Sequence, residues 1–553
     1  MITLGLHAFT HDAAAALVVD GHLVTFAQEE RLSRRKNDGR FPRSAIAWCL
    51  GEAGLQPGDI DRVVLGFRPW IGALGRVAYQ LRRPGFGVRA ARDLLSKGRH
   101  NLGLARSLRS VGIDAPVSRV DHHASHAWAS LAASDIDRAA VLVVDGVAEA
   151  WSGASFVARR SPPGLECLHK IRFPASLGLV YAAVTEHLGF RHNCEEGKVM
   201  AMAALGTDDL VGAFEPVCRL RGRRLKVDQR CFDFGGRWTT DEFSARFGAA
   251  RSPGAPFEGR HFALARALQT VVEDTVAEMA RSLVEQTGAE VLCLTGGMAL
   301  NPAVNSAVGR SIGGRAQLQL FPAGGDAGTA FGAALALEFD AAWRYEHAFW
   351  GGRGSTAAID RAVSTAGLDT EAAGPRVTQR AAELLAEGAL GGWYHGRSEM
   401  GPRALGHRSI LADPRSASVR DRLNRSVKRR ETFQPYGASA LWPAIVRLLP
   451  EAEPSPFMLR TWPVPAAARD RIPAVVHDDG TTRLQTVTTG DSSGLADLLS
   501  SFATLTDTPV LLNTSLNRRG EPLAETPEDA VAIFMETGLD FLVLEDRLVR
   551  RRP

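Results

Sequence analysis

The sequence predicts a soluble α/β protein of two domains, the first made of two similar α/β halves facing a cleft. Three observations carry this. Short apolar, strand-like runs alternate with amphipathic helical patterns along most of the chain. A strand, a Gly-rich turn and a helix recur in both halves of the first 340 or so residues. The chain has 553 residues, too many for one core, and its pattern loosens around 345–375 through Gly351-Gly352-Arg353-Gly354-Ser355 and Ala372 to Pro375. The expected domains are 1–350 and 351–553. With 45% hydrophobic and 23% charged residues the composition is that of a globular protein, and a net charge of +4 argues against a dedicated nucleic-acid binder. The six cysteines form no C-x-x-C pair, which excludes a zinc finger and a disulfide framework. The N-terminus lacks a basic region and cleavage site, and no apolar run approaches the ~20 residues of a membrane span. A cytoplasmic location without membrane contact is expected.

Ile2 to Leu6, Ala13 to Val19 and Leu23 to Ala27 read as strands, and Asp20-Gly21 reads as a hairpin turn. Between the first two lies His7-Ala8-Phe9-Thr10-His11-Asp12, a turn of small and polar residues. A strand, a polar turn and a hairpin are how the actin/sugar-kinase/chaperone ATPase fold presents its first phosphate loop. His11, with an ordinary pKa near neutrality, is a candidate general base. The charged stretch 28–38 reads by itself as a solvated loop, and the Arg-rich stretch 87–110 as a solvated helix face. Asp121-His122-His123-Ala124-Ser125-His126 reads as a helix capped by Asp121, which places His122 and His126 one turn apart on one face and His123 off it. Two imidazoles so spaced reach one metal ion. Val141 to Val144 is a buried strand ending on Asp145, and Gly324-Gly325-Asp326 is a Gly-rich turn with a second carboxylate. Two His and two Asp make a mixed nitrogen–oxygen site with room for a ligand; helix-face histidines satisfied by hydrogen bonds are the competing reading.

The chain is Arg-rich. Its lysines are Lys36, Lys97, Lys170, Lys198, Lys226 and Lys428, and Lys36, Lys198 and Lys428 stand out for their marked contexts. Glu195-Glu196-Gly197-Lys198 heads an apolar helix and is suited to ordering an anionic ligand. A long helix from Phe262 to Glu285 precedes the strand Glu290 to Leu294 and then Gly296-Gly297-Met298-Ala299-Leu300-Asn301, where a double glycine lets a ligand approach the backbone. Residues 206–260 show no clear period. In the second domain, a helix from Val377 to Glu387 and a strand from Leu390 to Tyr394 lead into Gly396-Arg397-Ser398-Glu399-Met400-Gly401-Pro402-Arg403-Ala404-Leu405-Gly406-His407-Arg408. Three arginines threaded with glycines offer forked donors to phosphate; a solvated basic loop is the alternative. The strand Val510 to Leu512 runs into Ser515 and Asn517, and Thr526-Pro527 caps a helix.

The chain resembles the O-carbamoyltransferases of the nodulation and cephamycin type. The resemblance rests on DHHASHA, EEGKVMAMAALG, LTGGMALN, GGDAGTA, GRSEMGPRALGHRSILADPR, DDGTTRLQTV and PVLLNTSLNRRGEPLAETPEDA, and covers almost the full length. It implies an ATPase-like N-terminal domain, a YrdC-like C-terminal domain, and two steps. The C-terminal domain makes carbamoyl adenylate from carbamoyl phosphate and ATP, with Mg²⁺ accompanying the nucleotide. The N-terminal domain then transfers the carbamoyl group to a hydroxyl of a small-molecule acceptor, a natural product such as an antibiotic. By the resemblance His122, His126, Asp145 and Asp326 hold a metal, ferrous iron being the expected ion. His11 is the base and Lys36 a cation beside it. Asp12, Lys198, Gly296, Gly297 and Asn301 are further binding candidates in the first domain. Arg403 and Arg408 meet carbamoyl phosphate, and Lys428, Arg483, Ser515 and Asn517 meet the nucleotide. Because carbamoyl adenylate hydrolyses easily, a water-excluding passage between the two sites is expected.

Two departures stand out. Gln434 occupies a place where the family carries Arg, so a phosphate contact is lost or supplied elsewhere, and Ala148 and Ala201 replace expected glycines. A tRNA threonylcarbamoyl-type enzyme and a non-enzymatic ATP-binding protein of the chaperone-ATPase class are the alternatives. The absence of C-x-x-C pairs argues against a hydrogenase-maturation carbamoyltransferase. No nucleic-acid partner is expected, and a homodimer is.

Overall fold

The computed structural model describes residues 1–68, 71, 79, 103–133, 136–490 and 494–551. Much of the Arg-rich stretch 87–110 lies outside the described residues, although 103–109 are helical. The chain forms two compact units. The first comprises Met1–Glu29 and Asn37–Glu346, the second Glu30–Lys36 and His347–Pro553.

The first unit contains one topology twice. In the first half, β1 (Ile2–His7), β2 (Ala14–Val19) and β3 (His22–Gln28) form an antiparallel meander. β4 (Arg62–Leu65) and β5 (Val117–Arg119) then add in parallel on the other side of β1. The predicted hairpin turn is present, with φ of 49° at Asp20 and 82° at Gly21, the left-handed pair that matches strand twist. In the second half, β6 (Arg138–Ala148), β7 (Trp151–Arg159) and β8 (Gly164–Arg172) make the same meander. The 206–260 stretch supplies two small hairpins. These are β9 (Cys218–Arg221) with β10 (Arg224–Val227), and β11 (Phe232–Asp233) with β12 (Trp238–Thr239). Phe214, Phe232, Phe243 and Phe247 pack that region. β13 (Val291–Thr295) and β14 (Gln317–Leu320) then add in parallel on the other side of β6.

Two helices join these sheets. Thr329–Leu335 packs on β1, β2 and β4, and His122–Leu131 packs on β6, β7 and β13. They meet at Gly332, where an added Cβ would lie 1.8 Å from the Ser125 carbonyl oxygen. Only a residue without a side chain lets the helices approach so closely. The N-terminal end of His122–Leu131 and the turn before Thr329–Leu335 thereby come together at the C-terminal ends of β1 and β6.

The second unit is one nine-stranded mixed sheet, in the order β15-β23-β22-β16-β17-β21-β18-β20-β19. Its strands are β15 (Thr370–Ala372), β16 (Gly391–Tyr394), β17 (Arg408–Ala412), β18 (Gly437–Trp442), β19 (Arg460–Pro463), β20 (Thr481–Thr488), β21 (Val510–Ser515), β22 (Phe541–Leu544) and β23 (Arg547–Arg550). Both faces are buried, and successive residues alternate between two cores. Phe541, Val543, Trp393 and Leu411 join the helices Val377–Ala386 and Leu495–Thr506 in one core. Leu542, Leu544, Tyr394 and Ile410 join Thr356–Thr365 and Pro527–Glu536 in the other. Thr526 and Asp529 close the predicted N-cap as a capping box.

Residues 30–36 belong to this second unit through their arginines. Buried Arg31 donates to the carbonyls of Glu399 and Gly401 and lies 3.7 Å from the Glu525 carboxylate. Arg34 donates to the carbonyls of Pro522 and Leu523 and pairs with Asp529 at 3.4 Å. The stretch that reads as a solvated loop is thus partly buried.

Candidate functional site

The helix beginning at His122 starts as its sequence predicts, with the Asp121 carboxylate accepting the Ala124 N–H at 3.1 Å. One turn separates His122 from His126, and their Nε2 atoms lie 3.2 Å apart. The His122 Nε2 is 3.1 Å from Asp145 and 3.4 Å from Asp326, and the His126 Nε2 is 3.8 Å from each. One donor atom from each of the four residues lies within 4.8 Å of all the others. Metal–ligand bonds of ~2.1 Å produce edges of about 3.0–3.4 Å between neighbouring donors in octahedral or tetrahedral shells. The His122 separations of 3.1–3.4 Å fall in that range, and the His126–carboxylate separations of 3.8 Å lie outside it. The supporting bonds fit as well. His122 Nδ1 faces the Gly66 carbonyl at 3.2 Å, which fixes the tautomer with Nε2 toward the cluster. Asp145 accepts the Gly297 N–H at 3.1 Å on its other oxygen.

The electrostatics agree with a cation-seeking site. Burial and Asp326 both raise the Asp145 pKa, yet His122 and His126 hold it well below the usual carboxylate range. Burial likewise opposes Asp326, which His122 and His11 hold far down. Burial lowers the His122 pKa, and Asp326 and Asp145 override it and lift it well above the ordinary value. His123 points off this face, and neither of its buried ring nitrogens has a hydrogen-bond partner among the described residues.

His11 sits at the edge of the cluster, with Nδ1 3.0 Å from Asp12 and Nε2 3.7 Å from Asp326, its side chain 40% exposed. Burial pulls its pKa down, but Asp326, Asp12 and Asp145 push it up to about 10. Asp12 also accepts from Asn37 at 2.8 Å. One residue beyond those predicted belongs here. His7, buried at the end of β1, lies 3.4 Å from Asp326 and is fixed by Thr10 at 2.7 Å and Thr329 at 2.9 Å. Its position, at the end of a buried strand opening the His11 turn, is the signal that could have found it.

Other first-domain candidates have structural partners. Gly296 has φ 91°, and a Cβ there would be 2.4 Å from the Val144 carbonyl oxygen. With Gly297 it fastens the turn after β13 to the strand that carries Asp145. Asn301 caps the helix Pro302–Ile312 through Ala303 and Val304 and donates to Gln269. Lys198 pairs with Glu195 at 2.7 Å and stacks over Phe190. Lys36 falls in the second unit, and its charge helps lower the Lys428 pKa.

In the second unit a set of cations converges. The Lys428 ammonium donates to the Ser515 carbonyl and, at 2.7 Å, to the Asn517 side-chain oxygen. The Ser515 hydroxyl donates to that same oxygen at 2.6 Å. Gly437 pairs across the sheet with Arg483 on one side and Asn513 on the other. Burial, then Arg430 and Lys36, hold the Lys428 pKa well below its ordinary value. Burial, then Arg403 and Arg430, do the same to Arg483. Burial alone lowers Arg403 to about 10. Lys428, Arg430 and Arg483 form no ion pair with a carboxylate among the described residues, and buried donors so gathered suit an anionic ligand.

Arg408 is not brought into that set. Its guanidinium donates to the carbonyls of His395, Gly396, His407 and Gly352 and stacks on Tyr394 at 3.6 Å. These bonds engage its two terminal nitrogens with backbone, while its buried Nε has no hydrogen-bond partner among the described residues. The arginine loop itself is organised by Glu399, whose Oε1 accepts the N–H groups of Leu405, His407 and Arg408 at 2.7–3.0 Å. An open cavity of about 980 Å³ elsewhere in this unit is lined by Arg353, His395 and Glu545, among others, and by none of the predicted residues.

The family described as Carbamoyltransferase N-terminus matches residues 2–72 and 97–335, and Carbamoyltransferase C-terminus matches 382–551. Nodulation protein NolNO of Sinorhizobium fredii is 34% identical over 99% of this chain and 80% of its own. Nodulation protein U of Bradyrhizobium diazoefficiens is 30% identical over 92% of this chain and 91% of its own. Among solved structures, HypF of T. kodakarensis aligns with 61% of this chain and 47% of its own at 13% identity and a TM-score of 0.36, a likeness too slight to bear on function. With both halves matched and these relatives aligned nearly end to end, the chain is an enzyme of the carbamoyltransferase family.

Proposed function

We propose that this carbamoyltransferase works in two steps, building carbamoyl adenylate in the second unit and consuming it in the first. The observation that carries the reading is the opposite polarity of the two sites, one gathering carboxylates and imidazoles and the other uncompensated cations. In the second unit, Lys428, Arg403 and Arg483 bind the anionic groups of carbamoyl phosphate and ATP, with Mg²⁺ accompanying the nucleotide. One water enters and phosphate leaves. The carbamate oxygen then attacks the α-phosphorus, and pyrophosphate departs. Ser515 and Asn517 hold the Lys428 ammonium in place for this.

In the first unit His122, His126, Asp145 and Asp326 hold a divalent ion, taken as ferrous iron from the resemblance. Their mixed nitrogen–oxygen donor set suits it and other borderline ions. When bound, such an ion supplies Lewis-acid polarisation of a carbonyl and takes up the charge of the two carboxylates. With the charges of Asp326 and Asp145, which otherwise keep His11 protonated, offset by such an ion, His11, oriented by Asp12, accepts the proton of the acceptor hydroxyl as its oxygen attacks the carbamoyl carbon, and AMP leaves. The acceptor is a small natural product bearing a hydroxyl, and the setting is the cytoplasm.

Incubation with carbamoyl phosphate and ATP, with products followed by mass, tests the proposal. Carbamoyl-phosphate-dependent pyrophosphate release is expected. Release that requires threonine and bicarbonate instead would identify a tRNA threonylcarbamoyl-type activity, and no pyrophosphate release at all would refute adenylation.

A further inference from the structure

Backbone groups of Gly66 and Gly297 hold His122 and Asp145 in place, and Asp326 is held in another way. It sits in Gly324-Gly325-Asp326-Ala327-Gly328, where its neighbours are too small to anchor the turn by side chains. The anchor comes from Thr329, the first residue of the helix that follows. Its hydroxyl donates to the Asp326 carbonyl at 2.6 Å. Thr329 is fully buried, and its oxygen also meets His7 Nδ1 at 2.9 Å.

The direction of these bonds follows from counting protons. A threonine hydroxyl has one, and the Asp326 carbonyl takes it. The oxygen therefore meets His7 as an acceptor, so His7 Nδ1 carries the proton of that contact. His7 is 1% exposed and is brought there by the end of β1. Gly5 lies two residues earlier on the same face of the strand. An added Cβ there would be 1.9 Å from the Ala330 carbonyl oxygen, so β1 is seated directly on the helix that Thr329 opens. The other ring nitrogen serves a different segment. His7 Nε2 lies 2.7 Å from the hydroxyl of Thr10, the residue before His11, and 3.4 Å from Asp326 Oδ2. One imidazole thus joins the strand, the His11 turn and the Asp326 turn.

We propose that His7 is a positioning residue of the metal site. Through Nδ1–H and the Thr329 hydroxyl it holds the Asp326 turn, so that Oδ1 stays turned toward His122 and His126 and Oδ2 toward His11. This rests on the reading of the four-residue cluster as a metal site, and it gives Asp326 a support equivalent to those of His122 and Asp145.

The test is metal affinity, measured by calorimetry on the full chain stripped with a chelator and titrated with cobaltous ion. His7→Leu is expected to raise the Kd ~10–100-fold, the usual cost of losing a group that orients a ligand from behind. His7→Asn, whose amide N–H stands where Nδ1–H was, is expected to regain most of the loss. His7→Gln, whose amide reaches the Nε2 position instead, is not. Thr329→Val keeps the shape and removes the hydroxyl. It is expected to match His7→Leu, and the double variant to lose no more than either. Equal losses in His7→Asn and His7→Gln, or losses that add fully across the pair, are the mark of packing alone and overturn the proposal. So does a Kd within about twofold of wild type in both His7→Leu and Thr329→Val. If His7→Leu does not fold, Thr329→Val alone decides, with Thr329→Ser expected to keep wild-type affinity. A wild type that binds no cobaltous ion defeats the metal reading instead. His7 is then judged in the nitrogen NMR spectrum of the histidine-labelled chain, where a proton on Nε2 alone overturns the bond to Thr329.

Discussion

The two sites are electrostatic opposites built by opposite structural means. In the first unit, the four candidate ligands come from one helix, one strand and the turn before a second helix, and two carboxylates face two imidazoles. In the second, cations converge on a single sheet, where burial and then Arg430 lower the affinity of Lys428 for protons, and burial, Arg403 and Arg430 lower that of Arg483. The first arrangement suits a resident cation and the second a transient polyanion. A carboxylate–imidazole cluster can keep an ion through many turnovers, whereas substrates must enter and leave the other pocket. The difference also shows in the scaffolding. Of the candidate metal ligands, His122 and Asp145 are fastened by backbone, through Gly66 and Gly297, while the arginine loop is fastened by buried side chains, Glu399 and Arg31.

The strongest challenge to this contrast is to empty one site and read the other. His122→Ala should lower carbamoyl transfer by ~10³-fold or more, with carbamoyl-phosphate-dependent pyrophosphate release within about threefold of wild type. Equal loss of both partial reactions would dissolve the division of labour. The reciprocal variant, Arg483→Ala, should cut pyrophosphate release by ~10²–10³-fold and leave transfer from supplied carbamoyl adenylate intact, as followed by mass.

Two smaller effects concern stability. Glu399→Gln replaces the carboxylate oxygen that accepts three N–H groups with an amide oxygen. Charge-assisted bonds to buried groups are worth ~1.5–3 kcal/mol each, so a loss of about 2–3 kcal/mol in urea unfolding is expected. An unchanged midpoint would mean that the loop is held by other contacts. Removing divalent ions with a chelator should lower the melting temperature, by mass action, and restoring ferrous ion should return it. The His126→Ala variant should no longer respond.

The smallest effect is graded and common to both units. Burial lowers His187 in the first and His477 in the second to about 4. Both rings are neutral in the folded chain and have an ordinary pKa of 6.5 when unfolded, so the unfolded state binds more protons between these values. Their stabilisation is therefore complete above pH 6.5 and is lost as pH falls toward 4. Thermal melts across that window should show the decline, and His187→Gln should flatten part of it.

Several features were legible because they are local. The i, i+4 spacing of His122 and His126, the Asp121 cap, the Asp20-Gly21 turn and the Thr526 capping box each depend on a few adjacent residues, and the structure has all of them. Features that depend on distant pairings were not legible. Residues 30–36 read as a solvated loop, since nothing nearby in sequence announces that Arg31 meets the carbonyls of Glu399 and Gly401. Nor does anything local announce that the Arg408 guanidinium donates to the carbonyls of His395 and Gly352. The approach of His7 to Asp326 depends in the same way on a distant pairing.

The amino-acid order alone determined the α/β class, the helix faces, the strand ends that bear Asp145 and His7, and the motifs that announce a carbamoyltransferase. These follow from periodicity and capping, which act over a turn or two of chain. Tertiary structure decided which charges meet. Desolvation and Coulomb interactions depend on through-space distance and on what excludes water, and neither is written in sequence separation. The neighbours of Asp326, Arg483 and Lys428 were therefore set only when the sheets closed around them.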